Sequence, residues 1–318
     1  MRPSFSIICF TTLSGTGYGL LFLIGIVLVS ASPIGSPNSL LIALCVGFVL
    51  TSVGLLASLA HLGRPSRAWR AFSQWRSSWL SREGIASLVT VPVMAAVGFA
   101  LCNPPHGRFT LRALGLLLAA CCMVTVTCTA RIYSSLPPIR AWHNRFTLPG
   151  YLLLGLTGGA VWFCAIVASN AADADSVSLA YSILLANALV IAPASALFKR
   201  TYWRHIDALT PITTAVATGL DRLGDASSFE QPHTEENYLT REMGFALARK
   251  HSVSLRALAF WTVLAAPLFS VAVALMFGGG LLLTCVLWLV VFASTAAILV
   301  ERWLFFAEAT HSVKSYYN

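Results

Sequence analysis

The residues best suited to chemistry stand between the second and third long apolar segments of the chain. His61 ends the second segment, Arg64 follows it, and Glu83 stands just before the third. An imidazole accepts a proton near neutral pH, a guanidinium polarises an oxygen atom, and a carboxyl group passes protons onward. This set, at the edge of a hydrocarbon layer, suits a quinol, whose oxidation releases both protons and electrons. The alternative is that His61 is an ordinary interfacial residue.

A second pair of titratable groups follows the last apolar segment. Glu301 and Glu308 are seven residues apart, so they share one face of a helix that continues this segment. Acids near the end of a membrane bundle can relay protons, and they can also be interfacial caps. The sequence leaves both interpretations open.

The cysteines and histidines do not form a metal or haem motif. The eight cysteines lie mostly within apolar segments, without a C-x-x-C and without iron–sulfur or zinc spacing. None of the seven histidines lies in the middle of an apolar segment, where a haem between helices would need its ligands. We therefore expect no haem or metal in this chain, and metal clusters only on partner subunits.

The composition indicates a membrane protein. Of 318 residues, 57% are hydrophobic and only 10% are charged, against about 25% charged residues in a soluble domain. Too little polar surface remains to cover a soluble core. The net charge of +9 is therefore assigned to basic loops at a membrane face and not to nucleic-acid binding.

Eight apolar segments are long enough to cross about 30 Å of hydrocarbon as helices. They lie near 11–31, 40–60, 85–101, 111–131, 149–169, 179–198, 257–277 and 281–300. The predicted fold is all-α, one polytopic membrane domain over 1–318, with loops 61–84, 132–148 and 199–256 on one side. The first apolar run is too long for a typical signal peptide, so we expect it to be a span.

The distribution of positive charge predicts the orientation. If the N-terminus is inside, 19 of the 21 lysines and arginines lie on that side, and only Arg108 and Arg112 lie outside. Cytoplasmic loops carry an excess of these residues. We therefore expect both termini to be cytoplasmic, in a bacterial inner (plasma) membrane.

Loop 61–84 contains an aromatic pattern. At about 100° per residue, its aromatic residues fall within an arc of about 120°; they are Trp69, Phe72, Trp75 and Trp79. This spacing predicts a short interfacial helix, with Arg67 and Arg70 pointing away. The alternative is an aromatic belt that only anchors the loop.

Loop 199–256 is predicted to contain a further helix. Thr234 can cap its start, and Arg249, Lys250 and His251 suit its last turn. This helix either docks a partner or is only solvated. The candidate docking residues of the two loops are Arg67, Arg70, Arg76, His233, Glu235 and Glu236.

Glycines in the first segment allow two interpretations. Gly15, Gly17 and Gly19 form G-x-G-x-G, but no strand precedes them as a nucleotide site would require. They permit close helix packing, or they open a slot for a flat ring.

Three stretches resemble the membrane-anchor subunit family of dimethyl sulfoxide reductase-type complexes. They are His61-Leu62-Gly63-Arg64-Pro65 with Ser77-Ser78-Trp79-Leu80-Ser81-Arg82-Glu83-Gly84, then Pro232-His233-Thr234-Glu235-Glu236-Asn237-Tyr238 with Glu242-Met243-Gly244-Phe245, and Glu301-Arg302-Trp303-Leu304-Phe305-Phe306-Ala307-Glu308-Ala309. The eight-span plan resembles the same family, so the resemblance covers nearly the whole sequence.

The resemblance implies a role in respiratory electron transport, including anaerobic respiration. Such anchors hold a molybdopterin catalytic subunit and an iron–sulfur subunit on the membrane, and they exchange electrons with a quinone (menaquinone or ubiquinone). They carry no haem or metal, so this protein would supply the quinone step but not the molybdenum chemistry. His61 matches the family's histidine implicated at the quinol site.

The expected orientation differs from that of the reductase prototype, whose catalytic dimer faces the periplasm. A cytoplasmic loop 61–84 is similar to the arrangement in sulfite-oxidising relatives, in which electrons run from substrate to quinone. Two other functions stay open. A structural anchor would lack the quinone site. A secondary transporter would have inverted repeats and charged or broken helices at midplane, whereas the sequence shows no clear repeat and no ionisable residue deep in a span, with Asn187 the main polar exception.

Overall fold

The structure is a computed structural model that describes residues 3–30, 36–60, 64–103, 107–170, 174–210, 212–226, 229–230 and 247–313. Within these ranges the protein forms helices and turns and no strand. Eight helices are long and apolar enough to cross a membrane. The predicted all-α polytopic fold is confirmed.

The first five spans are single helices, and the sixth is interrupted. In sequence order the spans before the interruption are α1 (Phe5–Val29), α2 (Pro37–Leu59), α3 (Trp79–Cys102), α4 (Arg108–Ser134) and α5 (Thr147–Ser169). The sixth span consists of α6 (Ala174–Ala186), a π-helical turn (Asn187–Ile191) and α7 (Ala192–Asp207). The short α8 (Thr214–Thr218) precedes the last two spans, α9 (Leu247–Phe277) and α10 (Leu281–Ala307). The π-helical turn keeps this span helical throughout, whereas a transporter's discontinuous helix contains unwound backbone.

Several helices extend beyond the apolar segments that the sequence predicts, and three of these extensions carry buried titratable residues. α3 begins at Trp79, α7 ends at Asp207 and α10 ends at Ala307, against predicted limits near 85, 198 and 300. These extensions place Glu83, Lys199 and Glu301 inside helices, where all three are buried. All three lie within about two turns of a helix end, so the expectation of no ionisable residue deep in a span is not contradicted.

The loops gather at the two ends of the bundle. At one end, the Ser312 N–H donates to the Pro138 carbonyl and the Arg140 guanidinium donates to the Thr210 carbonyl. This end, with residues 64–78, 135–146, 208–210, 212–226 and 308–313, is called the basic end below. At the opposite end, the Trp288 indole donates to the Ser169 hydroxyl at 2.9 Å.

α1 is the central helix, and it packs against α2, α4 and α5. Its crossing with α5 is too close for side chains. A Cβ atom on Gly19 would lie 1.9 Å from the Gly155 carbonyl oxygen, and one on Gly159 would lie 2.3 Å from Gly19. The glycines of α1 therefore serve helix packing, and the structure leaves no slot for a ring at Gly19.

The loop after α4 folds back into an aromatic core at the basic end. Rings of Tyr133, Trp142, Tyr151, Phe305 and Phe306 lie with centroids 5.1–5.8 Å apart. The Trp142 indole also donates to the Phe305 carbonyl at 2.8 Å. These contacts bind loop 135–146 to the end of α10.

The predicted interfacial helix is present as a 3₁₀ helix, Pro65–Gln74. With three residues per turn, Trp69 and Phe72 lie on one face, and Trp75 follows in register. Phe72 packs on Gly84, where a Cβ atom would lie 2.7 Å from its ring. Trp79 belongs instead to α3.

The helix predicted in loop 199–256 is only partly covered. Its expected start at Thr234 lies outside the described residues. Arg249, Lys250 and His251 lie in the first turns of α9 and not in the last turn of a separate helix. The reason is that residues 252–258 contain no glycine or proline to end a helix there.

The α1–α5 crossing gives a matched pair of substitutions. We expect Gly19→Ala to lower the stability of the protein by about 1–3 kcal/mol, because the new methyl group meets backbone atoms. Gly15→Ala lies one turn away, where a Cβ atom meets nothing within 4 Å, and should be neutral or stabilising. Thermal unfolding of both variants in detergent tests this expectation. Equal Tm shifts would contradict it.

Candidate functional site

Glu83 is a buried acid at the start of α3. The Ser78 hydroxyl caps this helix by accepting from the Ser81 N–H. Glu83 lies in the second turn and is 3% exposed. The Thr129 hydroxyl of α4 donates to the Glu83 Oε1 atom at 2.5 Å. Among the described residues, no cation pairs with this carboxyl group.

Other hydroxyl groups surround Glu83. The Tyr18 phenol of α1 lies within interaction range of Glu83, Ser87 and Thr125. We refer to Tyr18, Glu83, Ser87, Thr125 and Thr129 as the Glu83 cluster, and all five are buried. The sequence analysis missed four of them, although Glu83 with Ser87 and Thr125 with Thr129 stand four residues apart, a spacing that puts each pair on one helix face.

The space next to Tyr18 is small. A cavity of about 10 Å³ lies between α1, α4 and α5, lined by Tyr18, Gly19 and Cys122 among others. It has room for about one water molecule, and not for an aromatic head group.

The three predicted quinone-site residues differ in how they are placed. Glu83 is buried as described, whereas Arg64 is exposed at the start of the 3₁₀ helix. No ion pair joins these two residues. His61 lies outside the described residues, so its predicted role stays a prediction.

The surface above Glu83 carries arginines and tryptophans. Arg67, Arg70 and Arg76 are exposed, and Trp69 and Trp75 are 66% and 52% exposed. The predicted docking arginines are thus accessible to a partner. The other predicted docking residues, His233, Glu235 and Glu236, lie outside the described residues.

Arg82 holds the turn between the 3₁₀ helix and α3. Its guanidinium donates to the carbonyls of Trp75 and Arg76, at 2.9 and 2.5 Å. The same group lies 4.3 Å from the centre of the Trp79 ring. The position of the loop over Glu83 is therefore fixed by contacts of its own.

A second polar group, the buried ion cluster, consists of Lys199 of α7 with Glu301 and Arg302 of α10. The Lys199 ammonium forms an ion pair with the Glu301 Oε1 atom, and the Arg302 Nε atom is 3.5 Å from Oε2. Two aromatic rings lie under the cations, Tyr202 at 3.8 Å from the Lys199 Nζ and Tyr151 at 3.7 Å from the Arg302 guanidinium. Sequence reasoning placed Lys199 in a loop, so it missed this pairing.

Glu308 lies between the buried ion cluster and the surface. The Arg256 Nε donates to the Glu308 Oε1 at 2.8 Å, and its two Nη atoms donate to Asp207 at 2.7 and 2.9 Å. Asp207 is 58% exposed. Burial raises the pKa of the Glu308 carboxyl above its ordinary value, and the contact with Arg256 opposes this rise. Glu308 also interacts electrostatically with Lys199.

Two tyrosines lie between the Glu83 cluster and the buried ion cluster. The rings of Tyr133 and Tyr151 stack with centroids 5.8 Å apart. Both interact electrostatically with Glu83 on one side and Arg302 on the other. The Tyr151 hydroxyl is buried and has no hydrogen-bond partner among the described residues. Polar groups thus cross the bundle from Glu83 to the exposed Asp207.

Comparison with known proteins places the chain in one family. The family model of the DMSO reductase anchor subunit matches residues 1–308. One subunit of the sulfite dehydrogenase of Allochromatium vinosum is 29% identical over 333 residues, covering 100% of this sequence and 99% of that protein. One subunit of the anaerobic dimethyl sulfoxide reductase of Escherichia coli is 30% identical over 113 residues, 35% of this sequence and 39% of that protein. No solved structure matches significantly. The chain belongs to the DMSO reductase anchor subunit family and is a multi-pass membrane anchor of an oxidoreductase complex.

Proposed function

We propose that this protein attaches a molybdopterin subunit and an iron–sulfur subunit to the bacterial inner membrane and exchanges electrons between the iron–sulfur subunit and quinone. Membership of the anchor family over 1–308 supports the attachment role. The Glu83 cluster is the observation that carries the quinone step, because it places a buried acid directly beneath an exposed, basic loop. We place both termini in the cytoplasm, on the charge distribution.

Sulfite is the substrate that we propose for the catalytic partner. The relative from Allochromatium vinosum, which aligns with the whole sequence, is named as part of a sulfite dehydrogenase. The charge distribution puts the basic end in the cytoplasm, which suits an enzyme that takes its substrate there. Electrons would then flow from sulfite to quinone. A dimethyl sulfoxide reductase, with the opposite flow, is the alternative, and its relative aligns with only 35% of the sequence.

The residues around the site have different roles in the proposed quinone step. Quinone carries electrons and protons between the partner and the membrane pool. Glu83 gives or takes a proton at one quinone oxygen, and Thr129 holds its carboxyl group in place. His61 serves the other oxygen, and Arg64 attracts its developing negative charge. Because the Glu83 cluster surrounds this acid with neutral hydroxyl groups, its protonation leaves no charge in the cluster uncompensated.

Protons reach Glu83 from the surface through the polar groups that cross the bundle. In this proposal Glu308 exchanges protons with water near Asp207, and its raised pKa brings this exchange closer to neutral pH. Glu301 and Lys199 pass the proton inward, and water bound at the Tyr151 hydroxyl, which has no hydrogen-bond partner among the described residues, carries it on to Glu83. The competing role for Glu301 is purely structural, as the counter-ion of Lys199 and Arg302.

The quinone step is tested with Glu83→Gln and His61→Ala. Loss of a proton-transferring group typically costs about 10²–10⁴ in rate, so we expect quinone-linked turnover to fall by about that factor. Oxidation of substrate with an artificial acceptor, which bypasses the anchor, should be unchanged, and the partners should still co-purify. Glu230→Gln, an exposed acid at the same end, is the control. Normal quinone turnover in both variants would refute the assigned site.

A double substitution separates a proton relay from a structural ion pair. Glu301→Gln alone leaves a buried charge unpaired, which typically costs about 3–5 kcal/mol. Glu301→Gln combined with Lys199→Met removes the acid and the ammonium together and should recover most of the lost Tm, while Arg302 keeps its contacts with the Tyr151 ring and the Gly150 carbonyl. If Glu301 relays protons, this stable double variant still turns over slowly with quinone and shows a larger solvent isotope effect. A stable double variant with wild-type turnover would leave Glu301 structural.

The docking surface is tested by reversing charges. We expect Arg67→Glu with Arg70→Glu to release the catalytic subunits from membranes, because both side chains are exposed next to the site. Attachment of the wild type should weaken with ionic strength, as screening shortens the range of surface charge. Arg112→Glu, at the opposite end, is the control. Co-purification is the measurement, and retention of the partners by the double variant would exclude this surface.

A further inference from the structure

The sixth span contains a π-helical turn that the anchor role does not explain. The Ala192 N–H donates to the Asn187 carbonyl, a bond one residue longer than in an α-helix. Pro193 follows and has no N–H group, so carbonyls of this turn lose their regular donor. In a membrane, such an irregular turn is tolerated where the backbone is buried in protein or lines a water-filled space.

Asn187 begins this π-helical turn and points into the protein. Its side chain is 0% exposed, and neither its amide nitrogen nor its amide oxygen has a hydrogen-bond partner among the described residues. The turn packs against α5 and α9. A fully buried primary amide without partners is strongly unfavourable. Water is the partner that fits, since one molecule both donates and accepts.

Two cavities lie along the same span, one on each side of Asn187. Towards the opposite end, a cavity of about 140 Å³ is lined by Tyr181, Leu184 and Thr284 among others. Liquid water occupies about 30 Å³ per molecule, so several molecules fit. Leu184 stands one helical turn before Asn187. The lining of the larger space therefore ends about one helical turn from the unpartnered amide.

Towards the basic end, a cavity of about 10 Å³ is lined by Ser195, Lys199 and Glu301 among others. It has room for about one water molecule. The hydroxyls of Ser195 and Thr157 are hydrogen-bonded at 2.7 Å. Ser294 of α10 is also buried, with a hydroxyl that has no partner among the described residues. Asn187 and Ser195 are separated by about 12 Å along the helix axis, at about 1.5 Å per residue.

We propose that Asn187 binds internal water, and that this water joins the larger cavity to the Lys199–Glu301 pair as a proton path through α5–α7 and α10. Hydroxyl groups and water both donate and accept, so a proton moves along them by exchange of hydrogen bonds. Glu308 and Asp207 continue the path to the basic end. The path gives the buried ion cluster a connection to the opposite face, whichever quinone the complex uses.

Hydrogen–deuterium exchange of backbone amides tests whether water reaches the π-helical turn. The complex in lipid nanodiscs is compared with its Asn187→Leu variant, and exchange is followed in the segment 184–196. We expect wild-type exchange to be at least tenfold faster than in Asn187→Leu, since leucine fills the space without binding water. Asn187→Ser, which supplies a polar hydroxyl group and leaves room for water, should exchange like the wild type. This variant keeps the test valid if the leucine variant fails to fold. Thr201→Val is the control, because this exposed side chain bonds only to its own helix.

Proton flux tests the path itself. Liposomes that contain the complex and an internal pH dye are given a potassium diffusion potential, at rest and during turnover. We expect Asn187→Leu to reduce the flux at least fivefold and Thr201→Val to leave it unchanged. Exchange that is equally slow in wild type and Asn187→Leu, or a flux that does not depend on Asn187 in either state, would overturn the proposal. The quinone proposal and the water proposal can fail independently, because Glu83→Gln should leave hydrogen exchange at Asn187 unaltered.

Discussion

The compensation of Lys199 by Glu301 is the constraint on which the basic end depends. Removing an ion from water costs several kcal/mol even after relaxation, so neither residue is tolerated alone inside the bundle. Their pairing fixes α7 against α10. Arg302 extends the same network to α5 through the Tyr151 ring and the Gly150 carbonyl. The end of α10 then carries the Phe305 and Trp142 contacts that bind loop 135–146. A rigid platform thus lies beneath the loops of the basic end.

The two buried acids differ in what surrounds them, and this difference assigns their roles. Glu301 lies between two cations, so losing its charge would leave Lys199 and Arg302 uncompensated. Glu83 lies among hydroxyl groups and accepts a bond from Thr129. Hydroxyls can donate or accept, so they adapt to either state of the Glu83 carboxyl. Glu83 is therefore the acid to which we assign proton exchange in the proposed quinone step, and the ion cluster holds the helices together.

The number and type of spans could be predicted from the sequence, because length and apolarity alone decide what crosses a membrane. The helix ends could not. A hydropathy window stops at the first charged residue, so it placed Glu83 and Lys199 in loops and Glu301 beyond the end of its apolar segment. Their partners, Thr129 for Glu83 and Glu301 for Lys199, are distant in sequence and become visible only when helices pack. The aromatic spacing at Trp69 and Phe72 did predict a local helix, since that signal lies within one turn.

The position of the interrupted span follows from the packing of the central helix. α1 crosses α5 with backbone against backbone at Gly19 and Gly155. A π-helical turn in either helix would rotate the residues beyond it by about 100°, the angle of one extra residue, and turn the glycines away from the contact. The sixth span lies outside this crossing and does not have the same restriction. It can therefore hold an irregular turn at Asn187, where backbone and amide groups lie inside the bundle with the buried ion cluster a few turns away. A buried amide without a hydrogen-bond partner lowers the stability of the protein unless water reaches it. The close packing of α1 against α5 thus leaves the sixth span as a place where an irregular turn is tolerated.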